Sequence, residues 1–80
     1  MNAAFPKDAP IRDVLKALGV LGFVEVRSGP HLSLQRQNSD GTRSLMTLPN
    51  HSTIKGSALR TAIRQAGITR QEFLEALRDA

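Results

Sequence analysis

Two histidines are the side chains of this 80-residue chain best suited to move protons near neutral pH, because histidine has an ordinary pKa of about 6.5. His31 follows a Gly-Pro turn at 29–30 and opens a stretch, residues 31–36, in which polar and apolar residues alternate. It is out of phase with the apolar residues, so we expect it on the water-facing side of a strand. His51 follows a Pro-Asn step and fits either a second proton-transfer group or, more commonly, a loop histidine bonded to the backbone.

An exposed histidine beside cations has the groups that cleavage of RNA requires. RNA carries its own nucleophile in the ribose 2′-hydroxyl, so a site needs a proton acceptor, positive charge near the phosphate and a backbone held in line. Arg27 and Arg36 flank His31 in sequence, and Gly29 has no side chain to block a ligand. From the pattern alone, an exposed histidine without a role and an ordinary hairpin turn are the favoured alternatives.

Positive charge is concentrated in the middle of the chain. The net charge is +4, yet residues 27–70 carry seven lysines and arginines against a single carboxylate, Asp40. Such a region fits phosphates, and a solvated surface with a basic bias fits it equally. Lys55 and Ser57 stand where a helix is predicted to begin, and free N–H groups there suit a phosphate. Simple capping of that helix by a small polar residue is an equally good reading.

Composition restricts the classes of function and of ligand. The aromatic residues are three phenylalanines, and two of them, Phe23 and Phe73, have the pattern of core residues. The chain therefore has no aromatic residues to spare for stacking bases, and recognition of the RNA backbone is favoured. The chain has no cysteine and shows no metal-ligand spacing, so we expect no metal and no other cofactor. We see no signal peptide and no membrane segment, and we expect a cytoplasmic protein that is monomeric when free.

The elements that must position these residues are helix, three strands, helix, helix. Asp8 is expected to cap the first helix and Gly22 to end it. Strands are predicted at residues 23–27, 31–36 and 44–48, and a capping box over residues 69–72 opens the last helix.

Short turns between the predicted strands imply an antiparallel meander. We therefore expect an α+β fold, a three-stranded antiparallel sheet with helices on one face and His31 on the other. One domain is expected over residues 1–80, with residues 1–9 loosely ordered.

Several pieces of sequence occur in a specific order and spacing. They are LGF at 21–23, Gly-x-His at 29–31, Asp-Gly at 40–41, Pro-x-His at 49–51 and KGSALRTAIRQAGITRQEF at 55–73. Together they resemble the HicA family of bacterial type II toxins, also described as YcfA-like. The resemblance covers residues 11–77.

The resemblance implies a fold like that of double-stranded RNA-binding domains. It also implies an mRNA interferase, an endoribonuclease held silent by a HicB antitoxin. The catalytic residue of the family is the histidine of a Gly-Ser-His turn, which corresponds to His31, so the resemblance favours catalysis by His31 without a metal. We assign binding of the RNA to Arg27, Gly29, Arg36, Lys55 and Ser57.

Pro30 departs from the family pattern, which has a serine there. A serine could donate to phosphate from its hydroxyl and its N–H, whereas proline can do neither. The substitution either only stiffens the turn or weakens and alters cleavage. An RNA-binding module of the same fold without catalysis, in which Pro30 reflects lost activity, therefore stays open. A second alternative is an interaction protein whose basic face meets an acidic partner.

Overall fold

The architecture is an antiparallel sheet covered on one face by helices. The computed structural model describes residues 5–80, and its elements are β1 (Asp8–Pro10), α1 (Ile11–Val20), β2 (Val24–Arg27), β3 (His31–Gln37), β4 (Arg43–Pro49), β5 (Thr53–Lys55), α2 (Gly56–Gln65) and α3 (Arg70–Asp79). Strands β2, β3 and β4 pair antiparallel in that order. The predicted α+β fold, with the α-β-β-β-α order of double-stranded RNA-binding domains, is confirmed.

Alternation along β3 and β4 separates the two faces of this sheet. Leu32 and Leu34 of β3 lie opposite Leu48 and Met46 of β4, and all of them are buried against the helices. Side chains at the odd-numbered positions of β3 and β4 point to the other face, which we call the open face. His31 is exposed there, as its phase in the sequence predicted.

A second, two-stranded ladder joins β1 to β5, and no pattern in the sequence predicted it. Asp8 pairs with Lys55 and Pro10 pairs with Thr53, and each strand runs directly into a helix. Gly56, the first residue of α2, donates its N–H to the Lys7 carbonyl at 2.6 Å. A Cβ at Gly56 would overlap the carbonyl oxygens of Pro6 and Lys7, so the ladder requires glycine at this position.

The start of α1 differs from the prediction. Asp8 does not cap the helix: it lies in β1, Pro10 is the N-cap residue, and no side chain makes a capping hydrogen bond. The Ile11 N–H donates instead to the Ser52 carbonyl at 2.9 Å, so backbone from beyond β4 takes the place of a cap. Of the segment expected to be loosely ordered, residues 1–4 lie outside the described residues, while Asp8 and Ala9 are in β1.

The capping box of α3 is confirmed. Thr69 Oγ1 accepts from the Glu72 N–H at 3.0 Å, and the Thr69 N–H donates to Glu72 Oε1 at 2.9 Å. Hydrogen bonding of the carboxyl to the Thr69 N–H, and then to the Thr69 side chain, lowers the pKa of Glu72. The box fixes the direction in which α3 leaves α2 and packs against α1.

Candidate functional site

His31 is the first residue of β3, where the sheet ends. It lies opposite Pro49 of β4, and the next bond of the ladder runs from the Asn50 N–H to the Pro30 carbonyl at 3.1 Å. That bond makes His31 and Pro49 a non-hydrogen-bonded pair, in which proline loses nothing by lacking an N–H. The imidazole therefore stands on the open face at the last pair of the sheet.

Arg27 reaches the same face through a β-bulge. The pairing of β2 with β3 shifts between Glu25 and Arg27, so that Val26 is the extra residue and Arg27 lies opposite Ser33. Ser33 is two residues from His31 on one face, so Arg27 and His31 occupy diagonal positions, which in a regular antiparallel pair lie about 7–8 Å apart. The structure brings together this cation and this histidine.

Arg36 is placed on the other face, away from His31. It shares the side of Leu32 and Leu34, and its Nη1 donates to the Leu21 carbonyl at 3.2 Å. Its Nε donates to Asn38 Oδ1 at 3.0 Å, and its guanidinium carbon lies 4.9 Å from the centre of the Phe23 ring. Arg36 thus ties the end of α1 to the sheet, a role that the sequence reading missed although the even-numbered position indicates the face.

The turn before His31 is held by the loop after β4. Asn50 donates from its side-chain Nδ2 to the Gly29 carbonyl at 2.8 Å, in addition to its backbone bond to Pro30. His51 is exposed and lies two residues beyond the partner of His31, so both histidines stand at one end of the sheet. A Cβ added to Gly29 would meet no atom within 4 Å, and its φ is not in the left-handed region, so the fold itself does not require this glycine.

The start of α2 forms a separate basic pocket. The cations Lys7, Lys55 and Arg60 line a cavity of about 460 Å³ together with Ser57 and one carboxylate, Asp8. Lys55 is the N-cap residue of α2 and makes no side-chain capping bond. The structure therefore brings the predicted Lys55 and Ser57 together. Lys7 joins them through the β1–β5 ladder, which was not predicted from the sequence, and Arg60 lies one turn further along α2. His31 is not part of this lining.

The polar groups of both places are available to a ligand. Within residues 5–80, the side chains of His31, His51, Arg27, Lys55 and Ser57 make no hydrogen bond or ion pair with another residue. The same part of the chain contains no group of three or more histidine, cysteine, aspartate or glutamate side chains placed to hold a metal ion. None of its helices combines the length and the apolar character needed to cross a membrane.

Comparison with known families identifies the class of protein. Residues 11–68, well over half of the chain, match a family described as HicA toxin of bacterial toxin-antitoxin. The protein is therefore the toxin of a toxin–antitoxin system, a class that implies an antitoxin partner. The chain belongs to the HicA toxin family. No curated protein and no solved structure matches it.

Proposed function

We propose that this toxin is an endoribonuclease that cleaves mRNA without a metal, with His31 as its catalytic residue. The observation that carries the proposal is the placement of His31 at the sheet end, with Arg27 diagonal to it on the open face. Its imidazole is exposed and has no partner among residues 5–80. Membership of the HicA toxin family supports the same activity.

The reaction that these groups can perform is an internal transfer at phosphorus. The ribose 2′-oxygen forms a bond to phosphorus, the bond from phosphorus to the 5′-oxygen breaks, and the proton of the 2′-hydroxyl must leave while the 5′-oxygen gains one. His31 serves as the base for the first proton or as the acid for the second. Arg27 places positive charge near the phosphate oxygens, where charge develops in the transition state.

RNA would be held through its phosphates at two places. Gly29 exposes backbone beside His31, and Lys55 and Ser57 at the start of α2 offer charge, a hydroxyl and helix N–H groups to a second phosphate. Arg36 is not part of this proposal, because its guanidinium is bonded to Leu21 and Asn38 on the other face.

A HicB-type antitoxin would silence the enzyme by covering the open face. Val24 and Leu45 lie opposite Gln35 in one row across the sheet, with exposed fractions of 58% and 62%. Arg27 and Arg43 are the charged residues of this face, since Glu25 shares the face of Leu34. Apolar side chains with cationic neighbours fit an acidic protein surface, and such a cover would also exclude RNA from His31.

Pro30 supports a second candidate, a binding module without catalysis. The proline removes the hydroxyl donor that the family serine would offer to a phosphate. In that case the same surfaces bind RNA, and His31 only contacts the phosphate.

Cleavage of a long single-stranded RNA in EDTA, wild type beside His31→Ala, tests the proposal. We expect the substitution to lower the cleavage rate by about a hundredfold or more, with the circular dichroism spectrum and gel retardation of RNA unchanged. Gln37→Ala is the matched control, because Gln37 is exposed on the same strand and face at the other end. If wild type and His31→Ala both leave the RNA intact and retard it equally, the binding module is the correct reading.

A further inference from the structure

The turn that presents His31 has lost one bond of the β3–β4 ladder. Residue 30 lies opposite Asn50, and the Asn50 N–H donates to the Pro30 carbonyl at 3.1 Å. In a regular antiparallel pair of this kind, residue 30 would return an N–H to the Asn50 carbonyl. Proline has no N–H, so this pair has one bond where the ladder would have two.

The side chain of Asn50 supplies a second bond to the same turn. Its Nδ2 donates to the Gly29 carbonyl at 2.8 Å, so two consecutive carbonyls of the turn are held by one residue. Asn50 is exposed, so burial does not hold its amide in place. We propose that Asn50 is the positioning residue of His31, replacing with its side chain the backbone bond that Pro30 cannot make. This inference rests on the proposed endoribonuclease function.

The chemistry of the site favours an amide at this position. The group that faces the Gly29 carbonyl must be a donor, which asparagine provides and which alanine and an ionised aspartate do not. Because His31 directly follows Pro30, fixing the two preceding carbonyls fixes the direction of the imidazole. Asn50 acts through this turn and need not touch RNA.

Kinetics of Asn50→Ala test the proposal with the purified protein. Loss of one positioning hydrogen bond should lower kcat about five- to tenfold. KM should stay within about twofold, because Lys55 and Ser57 bind RNA independently of this turn. Asn38→Ala is the matched control, since the Asn38 amide also holds a turn, by bonds of 3.0 and 3.1 Å to Thr42 and Ser44. It should lower the melting temperature and leave kcat unchanged. An unchanged kcat in Asn50→Ala overturns the proposal.

Pro30→Ser provides the complementary test. With an N–H at residue 30 the ladder can form its missing bond, so in this background Asn50→Ala should lower kcat less than about twofold. An equal loss in both backgrounds shows that Asn50 does not replace that bond, and the proposal fails.

Hydrogen exchange separates this proposal from the proposed function. The residue-50 amide should exchange about tenfold faster in Asn50→Ala than in wild type, and Pro30→Ser should restore the slow exchange. This readout needs no RNA. If wild type does not cleave RNA but exchange behaves as stated, the endoribonuclease function fails while the positioning of the turn stands. Unchanged exchange contradicts the positioning itself.

Discussion

The two ends of the β3–β4 hairpin differ in whether their polar side chains form hydrogen bonds with one another. At the tip, Asn38, Asp40, Thr42 and Ser44 bond to one another; Thr42, for example, donates to Asp40 Oδ1 from its N–H at 3.0 Å and from its hydroxyl at 2.6 Å. At the base, Asn50 is the residue whose side chain bonds to the turn, while the imidazole of His31 has no partner within residues 5–80. The tip stabilises itself, and the base leaves its donors and acceptors for a ligand.

The largest expected effect is on RNA affinity, when a cation of the basic pocket at the start of α2 is replaced rather than a cation beside the hairpin tip. Lys55→Ala should weaken binding of RNA about five- to tenfold and reduce the slope of log affinity against log salt by about 1, because one phosphate contact is lost. Arg43→Ala removes an exposed cation beside the tip and should weaken binding less than about twofold. Gel retardation at several salt concentrations measures both. Equal losses for both variants would mean that the cations act only through net charge.

Replacing the glycine by alanine should affect stability at the tip turn and RNA binding at the base turn. Gly41 has a φ of +88°, so Gly41→Ala should destabilise the protein by about 1–2 kcal/mol without changing cleavage. Gly29 has ordinary φ and open space, so Gly29→Ala should leave the free energy of unfolding within about 0.5 kcal/mol and weaken RNA binding a few-fold.

Urea unfolding and gel retardation together measure the two glycine effects. If Gly29→Ala binds and cleaves RNA as wild type does, the base turn does not approach the ligand closely.

The smallest expected effect is the pH dependence of the tip. The hydroxyl of Thr42, and then its N–H, lower the pKa of the Asp40 carboxyl below its ordinary value of 3.8. A lowered folded-state pKa stabilises the protein above the unfolded-state pKa, and this contribution disappears as the pH falls through the folded value. Thr42→Val should raise the Asp40 pKa toward its ordinary value, as measured by NMR titration, with cleavage unchanged. A change in cleavage would connect the tip to the site.

Much of the fold could be predicted because its signals are local. The alternation around Leu32 and Leu34, and the capping box at Thr69, act over a few residues, and the structure confirms both. The β1–β5 ladder could not be predicted, since three-residue strands carry no period and their pairing joins residues far apart in sequence.

The site was predicted less completely for the same physical reason. The exposure of His31 followed from its phase in the strand, but the bond from Asn50 to Gly29 crosses between two turns. The face on which Arg36 lies could be predicted, because it has the same phase as Leu34. Its partners at the end of α1 could not, because they depend on tertiary packing.

The β-bulge of β2 also bears on how the protein behaves at high concentration. β2 is an edge strand, and its Val24 and Val26 are 58% and 52% exposed, a combination that invites pairing with a strand of another chain. The irregularity between Glu25 and Arg27 breaks the regular spacing of the edge and places charged side chains along it. The same local distortion that puts Arg27 on the face of His31 therefore disfavours edge-to-edge aggregation and helps to keep the folded protein dispersed.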